Sequence, residues 1–501
     1  MKHTLIGLCF IGLSLVGCKS DDNPANPSGG GITAFPGNAV TVTSGGTSAA
    51  RLTGGTAPYT IATAPNSAVA TARISADTLY VTAVASGSTS LVIRDAAATP
   101  AMLTISITVP VSSTITVSGT VVDFFNQPIA GAAVVVKGKA AVTTNSSGGF
   151  TVTNVTTPYD ISMVIGSQKL AIVYQGLTRP DPTLVYTFGA FGTSNSATIS
   201  GTVPAAVGKT TRVVFVSGDE QGSTIANQTT GAYSFNVTWF SSAASLSGMI
   251  HVVRYTTGTN NLPSNYDAFG SQSLTISDGG TFANNNFTAG QLTDPVDQNI
   301  SGTVSLPASY SLSSRQLYIH FGPSPIFIGS EGGTLGNNLS YTVPSISGAT
   351  YSIYTNGNSG SRSAFFFKSN IAAGTSGLSI PLETAPQLSL PVNNGTNVDT
   401  STSFLFTQGG GSGVNVVTIV PNSSADPTFL IFTSQNMTSI PNLSAQGLGL
   451  PSNRNYTWRA QQVFPLASVD AAASGSYVNI QQGRSGDFGQ GFSESFSFTT
   501  R

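Results

Sequence analysis

Short runs of alternating apolar and polar residues recur along most of the chain, and turns rich in Gly, Pro, Asn and Ser separate them. The clearest run is LTISITV at 103–109, which places every second residue, all aliphatic, on one face of an extended strand. Runs with the 3.6-residue spacing of an amphipathic helix are hard to find. The 55 Gly and 26 Pro residues are spread along the sequence and break it into short pieces. The pattern predicts an all-β protein built from many short strands.

A five-residue motif recurs three times and indicates an internal repeat. It reads VSGTV at 117–121, ISGTV at 199–203 and ISGTV at 300–304. The copies are separated by about the length of one β-sandwich domain, so each copy predicts the first strand of a separate sandwich.

The chain has 501 residues, which is enough for several domains. The repeats and turns divide it into five predicted β-sandwich modules, named here M1 to M5. Their limits are 32–110 (M1), 111–192 (M2), 193–292 (M3), 293–384 (M4) and 385–501 (M5). We expect tandem sandwiches in an extended array. Because a strand is roughly 20 Å long, five modules placed end to end would reach about 100 Å.

The first seventeen residues carry the pattern of a secretory signal peptide. Lys2 and His3 precede an almost uninterrupted apolar run at 4–17. A membrane-spanning helix needs about 20 apolar residues, so this run is too short to span, and we expect it to be cleaved. The next residue is Cys18. A plain signal peptide followed by a chance cysteine is the alternative interpretation.

The junction Leu15-Val16-Gly17-Cys18 resembles the lipobox of bacterial lipoproteins. That resemblance implies that Cys18 becomes the mature N-terminus and carries lipid, which would attach the chain to a membrane. The residue after the cysteine is Lys19, and a Lys at this position resembles the pattern of lipoproteins sent to the outer membrane. The acidic pair that follows Lys19 resembles a surface-export signal of some Bacteroidota lipoproteins. Residues 18–31 therefore read as the lipidated Cys and a flexible tether, with surface exposure an open question.

The two N-terminal modules, M1 and M2, each resemble a known family over most of their length. In M1, GGTAPY at 54–59 and LYVTAVASG at 79–87 are similar to bacterial Ig-like domains. In M2, SGTVVD at 118–123, PIAGA at 128–132 and the turn at 144–150 resemble the carboxypeptidase regulatory-like, transthyretin-like domain, the non-catalytic companion of the peptidase. This chain has Asn145 and Ser147 in that turn, where the family often has Asp, so the cation sometimes held there is in doubt.

The other three modules are assigned from sequence patterns that are weaker or lie further along the chain. M3 and M4 keep the SGTV motif and are interpreted as divergent relatives of M2. In M5, NYTWRA at 455–460 and FSFTT at 496–500 resemble fibronectin type III-like domains of bacterial surface proteins. Trp458 alternates with Tyr456 and Ala460 onto one face, and we expect it in the core.

Composition argues against nucleic acid as a partner and against disulfide bonds as a source of stability. Charged residues are only 8% of the chain, and 19 basic against 20 acidic side chains leave a formal net charge of −1. With no basic patch, nucleic-acid binding lacks its electrostatic driving force. The two cysteines are Cys9, inside the signal, and Cys18. The processed chain therefore cannot form an intramolecular disulfide and depends on packing.

No arrangement of residues in the sequence predicts catalysis. His3 falls in the signal, while His251 and His320 lie in alternating patterns of different modules, where we expect them on polar strand faces. HExxH, GxSxG and the phosphate-binding GxxxxGK[ST] are absent from the sequence. We expect no enzyme, cofactor or metal site, although a pair of distant carboxylates could still form a glycosidase site.

The aromatic residues of the middle modules are the remaining candidates for binding. Trp239 in M3 and the run Phe365, Phe366 and Phe367 in M4 could form sugar-stacking platforms if exposed. Burial in the core is the alternative, because large apolar side chains are usually buried. Consecutive residues of a strand point to opposite faces, so one of the three Phe rings leaves the core unless a neighbour covers it.

Two functions from different classes follow. The first is a non-catalytic, lipid-anchored stalk or adhesin of the outer membrane. The second is a lipoprotein that binds a glycan, or another envelope protein, through these aromatics.

Overall fold

The computed structural model describes residues 31–501 except 36, 43, 44, 112, 190, 191, 193, 259, 412 and 485. The predicted signal peptide, Cys18 and nearly all of the tether lie outside the described residues. Strands make up 56% of the structure and helices 4%, so the prediction of an all-β chain of tandem sandwiches is confirmed. No helix in the described part combines the length and the apolar content needed to cross a bilayer.

M1 is a sandwich of two four-stranded sheets, ordered β1-β3-β6-β5 and β2-β8-β7-β4. Its core residues all come from within the module, and they include Leu79, Leu91 and Ile105, none of which is exposed. Its strands are β1 (Thr33–Phe35), β2 (Ala39–Thr41), β3 (Thr47–Thr53), β4 (Thr60–Thr63), β5 (Ala70–Ser75), β6 (Thr78–Ala83), β7 (Gly87–Arg94) and β8 (Met102–Val109).

In the described part of the chain, M2, M3 and M4 each contain seven strands. Those of M2 are β9 (Thr114–Asp123), β10 (Ala133–Val136), β11 (Val142–Thr143), β12 (Gly149–Thr156), β13 (Tyr159–Ile165), β14 (Leu170–Leu177) and β15 (Thr183–Tyr186). Those of M3 are β16 (Asn195–Thr202), β17 (Thr210–Ser217), β18 (Glu220–Ile225), β19 (Ala232–Trp239), β20 (Ser245–Thr257), β21 (Pro263–Ser277) and β22 (Thr281–Phe282). Those of M4 are β23 (Asp297–Ser305), β24 (Ser311–His320), β25 (Ile326–Gly332), β26 (Asn338–Pro344), β27 (Thr350–Ser359), β28 (Arg362–Ile371) and β29 (Leu378–Pro381).

The three modules share one strand order. The first strand pairs with the fourth and, in parallel, with the seventh, as in β12-β9-β15, β19-β16-β22 and β26-β23-β29. The second, third, fifth and sixth strands form the other sheet, as in β18-β17-β20-β21. The three copies of the SGTV motif therefore occupy equivalent first strands.

The Gly of the SGTV motif is required by a close backbone approach. At each copy of the motif, the backbone in or next to the seventh strand passes directly over the glycine. A Cβ atom at Gly119, Gly201 or Gly302 would lie only 2.4, 2.3 or 2.1 Å from the carbonyl oxygen of Pro182, Asn285 or Leu378, respectively. No side chain fits these distances, which explains why the repeat keeps a glycine inside a strand.

The described residues of M5 form nine strands and two short α-helices. Its smaller sheet is β30-β32-β35, and its larger sheet is centred on β33 and β36. The elements are β30 (Leu388–Leu390), β31 (Gly395–Val398), β32 (Phe404–Phe406), β33 (Val414–Pro421), β34 (Thr428–Thr433), β35 (Met437–Thr438), β36 (Asn455–Phe464), α1 (Val469–Ala472), α2 (Ser476–Gln481), β37 (Phe488–Phe492) and β38 (Phe496–Thr500).

The larger sheet of M5 is continuous with one sheet of M2 and one sheet of M4. Strand β34 pairs in parallel with β14 of M2, and β37 pairs antiparallel with β28 of M4. The result is a single sheet of fourteen strands. The expectation that the modules lie end to end is therefore wrong for M2, M4 and M5, since M5 lies between the other two.

Apolar residues on both faces of these strands explain the joined sheet. In β14, Ile172 and Tyr174 enter the core of M2, while Ala171 and Val173 enter the core of M5 around Trp458. The rings of Tyr174 and Phe432 stack across the junction with centroids 4.6 Å apart. A strand buried on both faces reads as a continuous apolar run, and its edge can accept another strand.

M3 joins the same body through its contact with M4. Val214, Val253 and Tyr255 of M3 belong to the cluster that forms the core of M4. The Tyr255 hydroxyl donates a hydrogen bond to the backbone carbonyl of Ile328, 3.1 Å away. Among the residues that the structure describes, M1 shares neither its sheets nor its core with another module, and it is followed by Val111, which is 78% exposed.

Candidate functional site

Trp239 does not form a surface platform. Its side chain is fully buried in the core of M3, and its Nε1 donates a hydrogen bond to the carbonyl oxygen of Ala243 at 2.7 Å. The binding prediction for this residue is wrong, because the ring stabilises the sandwich from inside and leaves no face for a sugar.

The three consecutive Phe residues are also covered, on both faces of β28. Phe366 is 9% exposed and belongs to the core of M4. Phe367, at 4% exposed, and the half-buried Phe365 point to the opposite face, where Phe365 contacts the ring of Phe488 of M5 at a centroid distance of 5.6 Å. The neighbour that covers the second face is M5, so the predicted platform of Phe365, Phe366 and Phe367 is wrong.

His251 lies at the contact between M3 and M4, not on a polar face as expected. Its ring stacks on Phe321 of M4 with centroids 4.1 Å apart, and Phe269 lies on the same side at 6.2 Å. Its Nδ1 is buried and has no hydrogen-bond partner among the described residues. Burial lowers the pKa of His251 to about 4, which keeps the ring neutral at ordinary pH.

His320 is buried inside the joined sheet, at 6% exposed. Its Nδ1 lies 3.2 Å from the carbonyl oxygen of Pro323, so Nδ1 carries the proton, and Nε2 accepts from the hydroxyl of Ser352 at 2.6 Å. Burial lowers the pKa of His320, although hydrogen bonds that the ring donates to backbone carbonyls of the loop after β24 oppose that effect. Ser352 is fully buried, so this Ser–His pair acts within the packing of M4.

The segment 466–488 without residue 485, here called the clasp, was not identified from the sequence. It contains α1 and α2 and lies across the face of the fourteen-strand sheet, where it joins the core of M2. The Asp470 carboxylate accepts hydrogen bonds from the backbone N–H of Thr178 at 2.9 Å and of Arg179 at 3.2 Å. The apolar spacing of Val469, Ala472 and Ala473, at i, i+3 and i+4, was the available signal for a helix here.

The same clasp reaches M3 and M4 with charged side chains. Arg484 donates to the Ser324 hydroxyl at 3.1 Å and forms an ion pair with Asp219 of M3 at 3.4 Å. Asp487 accepts from Lys368 of M4 at 2.6 Å. The clasp therefore contacts three other modules and fixes their arrangement.

An open groove lies on M2, between β9, β11 and β12. Its volume is about 460 Å³. It is lined by small polar and apolar groups, namely Ser118, Gly119, Val142, Thr143, Asn145, Gly149, Phe150 and Thr151. The groove offers hydroxyl and amide groups for hydrogen bonds and carries no charged side chain.

The turn at one end of this groove is closed by its own hydrogen bonds. The Oδ1 atom of Asn145 accepts from the backbone N–H of Ser147 at 3.0 Å, from the Ser147 hydroxyl at 2.8 Å and from the backbone N–H of Gly149 at 2.8 Å. These donors occupy the oxygen that a cation would need. Within the described residues no cluster of three or more His, Cys, Asp or Glu side chains could hold a metal.

The chain matches no protein-family model, and no curated protein matches it in sequence. Among solved structures it is similar to the TIE protein of Bacillus anthracis, at 10% identity over 70% of this chain and 74% of that one, with a TM-score of 0.15. It is also similar to a tetra-tandem repeat from the extending region of a large adhesion protein, at 12% identity over 92% and 99% of the two chains, with a TM-score of 0.16. Two B repeats of the collagen binding protein of Staphylococcus aureus match at 10% identity over 70% and 93%, with a TM-score of 0.13.

Proposed function

We propose that this chain is a non-catalytic, lipid-anchored protein of the cell envelope that presents M2 to M5 as one stiff body in a structural or adhesive role. The observation that carries the proposal is the fourteen-strand sheet, which joins three modules through backbone hydrogen bonds. Modules connected only by linkers rotate against one another, whereas modules that share a sheet move together.

Two junctions hold the body together. The M2–M5 junction pairs five residues in register, from Leu170 with Thr428 to Tyr174 with Phe432. The M4–M5 junction pairs Ser363 to Phe367 of β28 with β37. Because β34 of M5 pairs directly with β14 of M2, a force applied between these two modules loads hydrogen-bonded strands and not a linker. This suits a protein that must keep its shape at a surface.

The anchor in this proposal is Cys18. Lipid on this residue would hold the chain at a membrane, because stable anchoring needs the buried methylenes of about two acyl chains. Lys19 favours the outer membrane by resemblance to lipoproteins of that compartment. The separate M1 would then act as a spacer between the anchored tether and the stiff body.

Replacing the anchor residue tests the proposal. Full-length chain and the Cys18→Ser variant would be expressed in a bacterium that processes lipoproteins and fed radiolabelled palmitate. We expect the unmodified chain to carry label and enter the detergent phase, and the variant to lose both properties. A Cys9→Ser variant is the matched control, and it should behave as the unmodified chain. Label that persists in Cys18→Ser would overturn the proposed anchor.

A second candidate function, glycan binding, retains one observation in its favour. The aromatic residues predicted for it are buried, but the M2 groove exposes the hydroxyls of Thr143 and Thr151, which could hydrogen-bond a sugar. A glycan array probed with the chain and with a Thr143→Val, Thr151→Val double variant tests this function. Binding that is unchanged in the double variant, or reduced equally by Thr156→Val outside the groove, would remove its support.

A further inference from the structure

The sixth strand of each repeat occupies the edge of its sheet, and two of the three are covered. M5 pairs with β14 of M2 and with β28 of M4. The equivalent strand of M3 is β21, which pairs only with β20 along residues 271–277 in the described part of the chain. M3 therefore leaves open the edge that M5 closes in its two neighbours.

One isolated β-bridge shows which backbone N–H and C=O groups of β21 point away from β20. Phe269 donates to the carbonyl of Thr293 and accepts from the N–H of Thr293, so its backbone groups point away from β20. In an antiparallel strand, every second residue points its backbone N–H and C=O away from the neighbouring strand. The register of β20 with β21 has no bulge between 269 and 277, so this alternation is unbroken there. The outward groups after Phe269 thus belong to Ser271, Ser273 and Thr275.

This edge lacks the features that usually prevent strand addition. The sequence SQSLTIS at 271–277 contains no charged residue and no Pro. Two other edge strands do carry charge, namely β25 with Glu331 and β5 with Arg73. An uncharged edge can lie beside an identical edge without repulsion, which a charged edge cannot do.

We propose that β21 of M3 is a self-association edge that pairs antiparallel with β21 of a second copy of this chain. The occupant is a second copy's β21 and not its M5, because β34 and β37 are already paired within each chain. A two-fold axis perpendicular to the sheet places the core faces of both strands on the same side. The two four-stranded sheets of M3 then form one eight-stranded sheet.

If the whole open segment 271–277 pairs with the same segment of the second copy, Leu274 lies on the two-fold axis. Ser273 then lies opposite Thr275 of the second copy, and these are the residues with outward backbone groups. Leu274 faces the core side and is only partly buried in one chain. Contact between the two Leu274 side chains would cover the apolar surface that one chain leaves open.

Sedimentation equilibrium of the full chain in detergent tests the association. Concentrations of about 1 to 100 µM cover the range in which small interfaces associate. We expect the mass of two chains at the upper end. Ser273→Pro removes an outward N–H and no bond to β20, so this variant should stay folded and remain monomeric. Ser234→Lys, an exposed position on β19 of the same module, is the control and should still dimerise. A monomer throughout, or a Ser273→Pro variant that dimerises normally, would overturn the proposal.

A cysteine on the axis tests the register. In a chain with Cys9→Ser and Cys18→Ser, Leu274→Cys should form a disulfide between two copies on mild oxidation, because directly opposed residues of a non-hydrogen-bonded pair lie about 4.5 Å apart at Cα. Thr224→Cys on β18, at the other edge of the same sheet, should not. Cross-linking through Thr224→Cys in place of Leu274→Cys would contradict the proposed edge.

Discussion

The Asp470 carboxylate accepts a hydrogen bond from the backbone N–H of Thr178 at 2.9 Å, although 292 residues separate the two in sequence. The contact ties the clasp of M5 to the end of β14 in M2. Arg179 adds to it by donating from Nη1 to the backbone carbonyl of Asp470 at 2.9 Å. The C-terminal module is thereby fixed against the second module by side-chain contacts as well as by the shared sheet.

Removing this carboxylate should loosen the M2–M5 junction. Asp470→Ala leaves the N–H groups of Thr178 and Arg179 without their acceptor, and we expect a loss of about 1 to 3 kcal/mol in unfolding free energy. Denaturant unfolding measures the loss, and amide exchange at Thr178 should speed up. Asp77→Ala in M1, which removes a half-exposed ion pair with Arg51 and a hydrogen bond from the Thr78 hydroxyl, is the control and should cost less. Equal effects of the two changes would contradict the role of Asp470.

The glycine of the repeat motif should not tolerate a methyl group. Gly201→Ala would place Cβ 2.3 Å from the carbonyl oxygen of Asn285, so we expect a destabilisation of about 1 to 3 kcal/mol from overpacking. Gly290→Ala is the matched control, because no atom lies within 4 Å of its added Cβ. Thermal unfolding of both variants checks the prediction. A Gly201→Ala variant as stable as the unmodified chain would show that the close approach is absent.

Trp239→Ala should act on stability and not directly on binding. The ring is fully buried, so its removal should cost about 3 to 5 kcal/mol through lost burial and the cavity left behind. Urea unfolding followed by a probe in M3 measures this cost. Phe327→Ala, at a ring that is 40% exposed, should cost much less. A Trp239→Ala variant with unchanged stability would place the ring outside the core.

The contact between M3 and M4 should weaken in acid because of His251. Burial lowers the folded-state pKa of His251 to about 4, below the ordinary value of 6.5, so the folded state disfavours the charged ring. Its contribution to stability is full above about pH 6.5 and is lost as the pH falls towards 4. His251→Phe keeps the ring stack with Phe321 and cannot titrate.

The measurement is the unfolding temperature of both proteins between pH 7 and pH 4. His320 and the carboxylates titrate in both chains, so the difference between the proteins reports on His251. We expect the unmodified chain to lose more stability than His251→Phe over this range. Parallel curves would contradict the burial of His251.

The strands and the repeat could be predicted from sequence because their signals are local. Alternation at Leu103 and Ile105 needs only one buried face, and the SGTV motif marks the same strand three times. The joined sheet could not be predicted. Ile172 and Val173 are both apolar because two different cores cover β14, and a continuous apolar run does not say which distant strand lies beside it.

The candidate site was harder to predict for a similar reason. Trp239 and Phe366 are residue types suited both to a sugar platform and to a core, and only the covering elements decide between the two. For Phe365 and Phe367 the covering segment is the part of M5 around Phe488, more than a hundred residues further along the chain. Asp470 carried no signal, since an isolated carboxylate in a turn-rich segment reads as solvent-exposed.

The most direct test of the stiff body is a cross-link between M2 and M5. The backbone N–H of Thr428 donates to the carbonyl oxygen of Lys169 at 2.8 Å, so cysteines at these two positions would be neighbours. In a full chain with Cys9→Ser and Cys18→Ser, Lys169→Cys and Thr428→Cys should be joined by a short bis-maleimide in the folded protein, giving a faster-migrating band that disappears when the reaction is run in urea. A folded protein in which these two cysteines remain unlinked would contradict the shared sheet and return M2 and M5 to opposite parts of an extended array.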